Sequence, residues 1–399
     1  MMPLSLLLAA AVSTANAAPA FFDRGFVLKP PASGPFVGGV NAPTVDIVEK
    51  SGTYVMYFES ATAPVSTDCF ESYVIGRATS PDGLNWTIDA NPVLSPDPAS
   101  DASRCSVSQP AVVYDGRTWH LFYSTAREKP SSGATYNLPT GISYATSTDG
   151  TTFTVQAAPL IPATDLSQTI GLATATVVYN QIFLLYFYNN DFRLSTSSLG
   201  DPTVWSSSTD TVVDHTTVGD WASNDVISPA LFCEDDMPDA LSLILAGDAP
   251  GQSGGTTRSM AFATSTGGKA WTMDAQTPLT GGDLTYSELN HWDVIEAHSD
   301  YLLWYGKTDP ETGLKAIGLA TTSSPWAEAQ PRLCPHDYQL HPPDDTAADT
   351  GGPVDTGGDA DSGVTAKSVG CGCASGTGAG GTGALTALFA MALIRLRRR

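Results

Sequence analysis

A unit of about 60 residues recurs five times between residues 42 and 326, and this repetition restricts the fold more than any other feature of the chain. Each copy opens with a proline or small residue before an apolar strand, turns, and continues into an aromatic-rich strand. A second hairpin with a small, polar turn and a closing aromatic completes it. The first copy reads APTVDIV, TYVMYFES and YVIGRATSPDGLNWT, and the second reads QPAVVYDG, TWHLFYSTAR and GISYATSTDGTTFT. A more worn third copy reads TATVVYN, FLLYFYNN and FRLSTSSLGDPTVW; the fourth is SPALFCED, LSLILAGD and SMAFATSTGGKAWT. The fifth is HWDVIEAHS, YLLWYGKTD and AIGLATTSSPW, so the closing aromatics are Trp86, Phe153, Trp205, Trp271 and Trp326.

Within each copy β-branched and aromatic residues alternate with polar ones, as in half-buried strands. Asp82-Gly83 and Asp149-Gly150 are hairpin-turn dipeptides that tolerate positive φ. Four strands per unit and five units predict an all-β fold, a five-bladed β-propeller. An elongated array of β-sandwiches is the alternative. The stretch FFDRGFVLKP, ahead of the first copy, is expected to supply the outer strand that closes the ring and covers its edge.

Both ends differ from this body. Residues 1–18 combine an apolar run, Leu4 to Val12, with the small-residue site Ala15-Asn16-Ala17, the pattern of a secretory signal peptide. The propeller is expected over 19–340. Residues 341–369 are rich in Asp, Gly, Thr and Pro and too poor in large apolar groups to fold, which predicts a disordered acidic linker. Residues 370–399 hold Gly370-Cys371-Gly372-Cys373, an apolar run from Ala384 to Leu396 and three terminal arginines. The run predicts a short hydrophobic helix, shorter than the roughly 20 residues a bilayer span needs. The order of these parts resembles the myxobacterial C-terminal sorting signal called MYXO-CTERM. That resemblance implies processing near Cys371 and Cys373, attachment to the cell envelope and retention at the outer surface.

Four further cysteines lie in the body, and in an exported chain they predict two disulfides. Three pairings are open from sequence alone. In a blade, loops after the second strand share a face with loops before the next blade. Cys69 occupies the first kind of loop and Cys105 the second, in adjacent blades. Cys69 is therefore expected to pair with Cys105, and Cys233 with Cys334. No CxxC pair occurs in the body, so a zinc site is not expected.

The net charge of -22 disfavours nucleic acid and anionic membranes as partners. No nucleophile elbow, metalloprotease helix or phosphate-cradling loop occurs, and neither metal nor cofactor is expected. A five-bladed ring with these hairpins resembles the superfamily of arabinanases, β-xylosidases, levansucrases and invertases, the glycosyl hydrolase family 43-like propellers. Sialidases share a similar hairpin turn on six blades. The resemblance implies a glycosidase-like, carbohydrate-handling protein; the signals at the two ends imply that it is secreted and surface-held, and a monomer is expected. Hydrolysis needs two facing carboxylates, which in this superfamily start the innermost strands, commonly as Asp before Pro.

The corresponding residues here are read as Ala42, Gln109, Thr174, Ser228 and Trp292, preceded by Asn41, Ser108, Ala173, Ile227 and His291. None is a carboxylate. A catalytic pair would have to come from Glu59, Asp225, Glu288 and Asp293 on the same face. Asn41, Gln109, Arg127, His291 and Trp292 are the candidates for sugar binding. The alternative is a non-catalytic surface propeller that binds glycan or an extracellular protein through its central funnel.

Overall fold

The computed structural model describes residues 20–322 apart from 49–50, 132, 165–168, 190, 207–210, 215, 220–221, 223–224, 234–239, 249–258, 274–283, 286–288 and 298–299. The expected leader, linker and sorting segment lie outside the described residues, as do Glu288, Cys334, Cys371 and Cys373. No helix among the described residues is long and apolar enough to cross a membrane.

Five antiparallel sheets form, one per sequence repeat, as the propeller reading requires. Their innermost strands are Asn41–Val48, Ser106–Tyr114, Ile170–Val178, Asp225–Cys233 and Asn290–Ala297. The second strands, such as Thr53–Thr62 and Trp119–Arg127, are buried over nearly their whole length. Each blade lies between two others, so both faces of its second strand meet apolar neighbours, and period-two alternation gives way to an unbroken apolar run. Five apolar clusters result, one at each junction between blades. The junction of blades five and one holds Trp304, Tyr54 and Val45, and that of blades one and two holds Tyr57, Leu121 and Val112.

Blade five contains three strands from the end of the body and takes its fourth from the N-terminal strand Phe22–Leu28, which pairs antiparallel with Lys315–Thr321. The ring is thus closed by the first strand of the described chain, as expected. Arg24 Nε donates to Thr321 Oγ1 at 2.8 Å, and the Tyr305 hydroxyl donates to Asp23. Phe21, fully buried, fills the core between blades four and five.

The recurring hairpin turns are built from their own side chains. Ser80 Oγ accepts the Gly83 amide at 2.9 Å, and Ser147 Oγ accepts that of Gly150 at 2.9 Å. Asp82 Oδ1 accepts the Leu84 and Asn85 amides. Burial pushes the Asp82 carboxyl up, but the hydrogen bonds from Asn85, Leu84 and Ser80 outweigh it and hold the carboxyl at about 2. The closing tryptophans fold back on these turns: Trp86, Trp205 and Trp271 each donate Nε1 to the carbonyl three residues earlier, at 2.8–3.0 Å.

Gly150 has φ of 71°, and an added Cβ would lie 2.9 Å from both Trp119 Nε1 and the Tyr57 hydroxyl. Tyr57, from blade one, donates to the Gly150 carbonyl at 2.7 Å. Trp304, from blade five, does the same to Gly83 at 3.1 Å. The repeated Asp-Gly motif therefore docks one blade on the previous one.

Candidate functional site at the mouth of the central axis

Every innermost strand is kinked at the same place. Ala42, Gln109, Leu172, Ser228 and His291 all have φ between 46° and 51°, and the strand register shifts there in all five blades. A non-glycine residue in this region costs roughly 1–2 kcal/mol. Its recurrence around one axis makes it a property of the ring, where a bulge re-aims side chains and frees a backbone amide from the ladder.

The kinks correct the sequence frame in two blades. Leu172, not Thr174, and His291, not Trp292, are the counterparts of Ala42. Blades three and five lack the proline that marks the kink in Ala42-Pro43, Gln109-Pro110 and Ser228-Pro229, so their repeats read out of frame. In the corrected frame none of the five positions carries a carboxylate.

At two of the kinks the freed amide is caught by a side chain of the preceding blade. The Gln109 amide donates to Glu59 Oε2 at 3.0 Å, and the Leu172 amide donates to Gln109 Oε1 at 3.2 Å. Side chains two residues past a kink form a second set of struts. Thr44 Oγ1 accepts the Val112 amide at 3.1 Å, Thr174 Oγ1 accepts the Leu231 amide at 3.0 Å, and Asp293 Oδ2 accepts the Val45 amide at 2.6 Å.

These contacts define what the proposed site residues do. Asp293 lines the axis, but its Oδ2 is held by blade one and its Oδ1 accepts the Val294 amide at 3.0 Å. Burial pushes its carboxyl up to about 6, against the two amides and Thr44. Glu59 is buried at the junction of blades one and two, where it also accepts Asn41 Nδ2 at 3.1 Å. Burial raises its carboxyl too, opposed by the Gln109 and Asn41 hydrogen bonds and by Lys315.

Gln109 uses its Oε1 on Leu172 and on Ser124 Oγ. His291 lies in the wall of the mouth. Trp292 borders it, but at 4% exposure its ring belongs to the core between blades four and five and offers no face for a sugar to stack on. Arg127 ends the second strand of blade two, opposite Leu138. Asp225 opens the innermost strand of blade four, opposite Asp248.

The axis itself is narrow. The mouth leaves about 30 Å³ and the inner stretch about 80 Å³. That is space for a few waters and far below the roughly 300 Å³ of a small-molecule pocket.

The Cys69–Cys105 disulfide forms as expected from the shared face of the two loops, with the Cα atoms 5.5 Å apart. The pairing of Cys233 with Cys334 reaches outside the described residues. No group of three or more His, Cys, Asp or Glu residues that could hold a metal ion is found among the described residues.

No family model and no curated protein matches the sequence. Solved structures do match. A glycosyl hydrolase from Bacteroides ovatus aligns at a TM-score of 0.54 and 15% identity, over 79% of this chain and 97% of that one. The catalytic domain of the Coprinopsis cinerea GH62 α-L-arabinofuranosidase aligns at 0.52 and 14%, over 76% and 97%. The β-1,2-mannobiose phosphorylase of Listeria innocua aligns at 0.52 and 14%, over 74% and 94%. The chain thus has the fold of the five-bladed glycoside hydrolase propellers, and the likeness extends to fold alone.

Proposed function

We propose that this chain is a surface-displayed propeller that binds carbohydrate without cleaving it. One observation carries the reading. Among the described residues the wall of the axis mouth holds a single carboxylate, Asp293, and both its oxygens are engaged by backbone amides. Glycoside cleavage needs a second carboxylate about 5–10 Å away across the sugar. Glu59 does not supply it, because its Oε2 ties blade one to blade two and its Oε1 is held by Asn41. The sequence signals at residues 1–18 and 370–399 support export and retention at the cell surface, with the acidic linker as tether.

The test is a panel of plant and microbial glycans offered to the purified chain, read in parallel for binding and for released reducing sugar. Binding without release is the expected result. Release that is abolished by Asp225→Asn or Glu288→Gln would overturn the reading and restore a hydrolase with a relocated carboxylate pair.

A further inference from the structure

The glycan site of this propeller need not be its axis, which admits little more than water. On the same face an open groove of about 320 Å³ lies beside blade one, walled by Val37, Gly38, Ala61, Thr62 and Ala63. Gly38 lets the two walls approach, since a Cβ there would meet the Ala61 carbonyl oxygen. A single loop, residues 63–71, runs from this groove to Phe70.

Phe70 is 42% exposed, and Tyr136, in the loop after the second strand of blade two, is 52% exposed. The two loops are tied together. The Phe70 amide donates to Asn137 Oδ1 at 2.7 Å, Asn137 Nδ2 donates to the Glu71 carbonyl at 2.7 Å, and the Lys129 amide donates to the Asp68 carbonyl at 2.9 Å. The Cys69–Cys105 disulfide anchors the same loop next to Phe70. Neither ring belongs to the apolar clusters between the blades.

We propose that Phe70 and Tyr136 form a pre-organised stacking platform for a neutral polysaccharide chain, which continues into the groove beside Val37. The proposal rests on the glycan-binding reading and gives it a location. Sugar rings present C–H faces that pack on aromatic rings, and their hydroxyls can bond to exposed polar groups such as Asp68, Glu71 and Thr135 around the platform. A rigid platform loses little entropy on binding. The net charge of -22 selects a neutral glycan over a uronic-acid or sulfated one.

The full chain, titrated by calorimetry with arabinan, xylan, mannan, polygalacturonate and alginate, tests this. Binding of at least one neutral polymer is expected. Phe70→Ala and Tyr136→Ala should each weaken it about tenfold, with an unchanged melting temperature, whereas Tyr136→Phe should retain it. Neutral-glycan binding left intact in the double alanine variant but lost in His291→Ala would sink the platform and return the site to the axis, leaving the binding function standing. Preference for polygalacturonate or alginate would overturn the choice of ligand. If the wild-type chain binds none of the polymers, both the platform and the binding function fail.

Discussion

Asp293 owes its protonation chemistry to its surroundings. As a free side chain it would be ionised above about pH 4. In the fold it packs against blade one with its carboxyl raised to about 6. The folded chain therefore binds more protons than the unfolded chain between about pH 4 and pH 6. The stability from this group is fully present below about pH 4 and is lost as pH rises through 6, by up to about 3 kcal/mol. Urea midpoints for the wild type should fall over that window, and Asp293→Asn should flatten the fall. An equal pH slope in the variant would show that the Val45 strut does not carry the effect. Glu59, raised by burial in the same direction, makes Glu59→Gln the second variant to compare.

At the scale of the element, the loop 63–71 takes its order from a disulfide and from Asn137 rather than from a strand partner. Closing a segment with a sequence separation of 36 by the Cys69–Cys105 bond is worth about 2–4 kcal/mol in a chain-entropy account. Replacing both cysteines with serine should lower stability by that amount. It should also raise amide exchange in 63–71 and 128–137 more than in the blade strands. Uniform exchange would mean that the loop pair is held without the bond. This pairing is legible in the sequence, because it follows from which loops share a face. Phe70 and Tyr136 are not, because nothing in their local sequence separates an exposed loop aromatic from one folded back into the core. The opposite holds for Trp292, which sits at a blade opening and reads as exposed, yet is enclosed by residues from blade four.

The whole molecule is held by closure. Without its N-terminal strand, blade five would end in an open edge at Lys315–Thr321, and the core between blades four and five would lose Phe21. Phe21→Ala should cost about 3–5 kcal/mol in denaturant unfolding, although Phe21 lies outside every repeat of the sequence. A cost under about 1 kcal/mol would show that the ring does not depend on this seam.

The sequence alone determined the five blades, their hairpin turns and the closing strand. These features are local or periodic: Ser80, Asp82 and Gly83 bond within a few residues, and the repeat recurs whatever surrounds it. Only the tertiary structure decided which side chains face the axis. The bulge in each innermost strand breaks the period-two alternation from which facing is read, and Leu172 and His291 carry no proline to announce it. The struts that fix the mouth join residues far apart in the chain, Val45 to Asp293 across 248 positions. Such a contact exists only once the ring has closed.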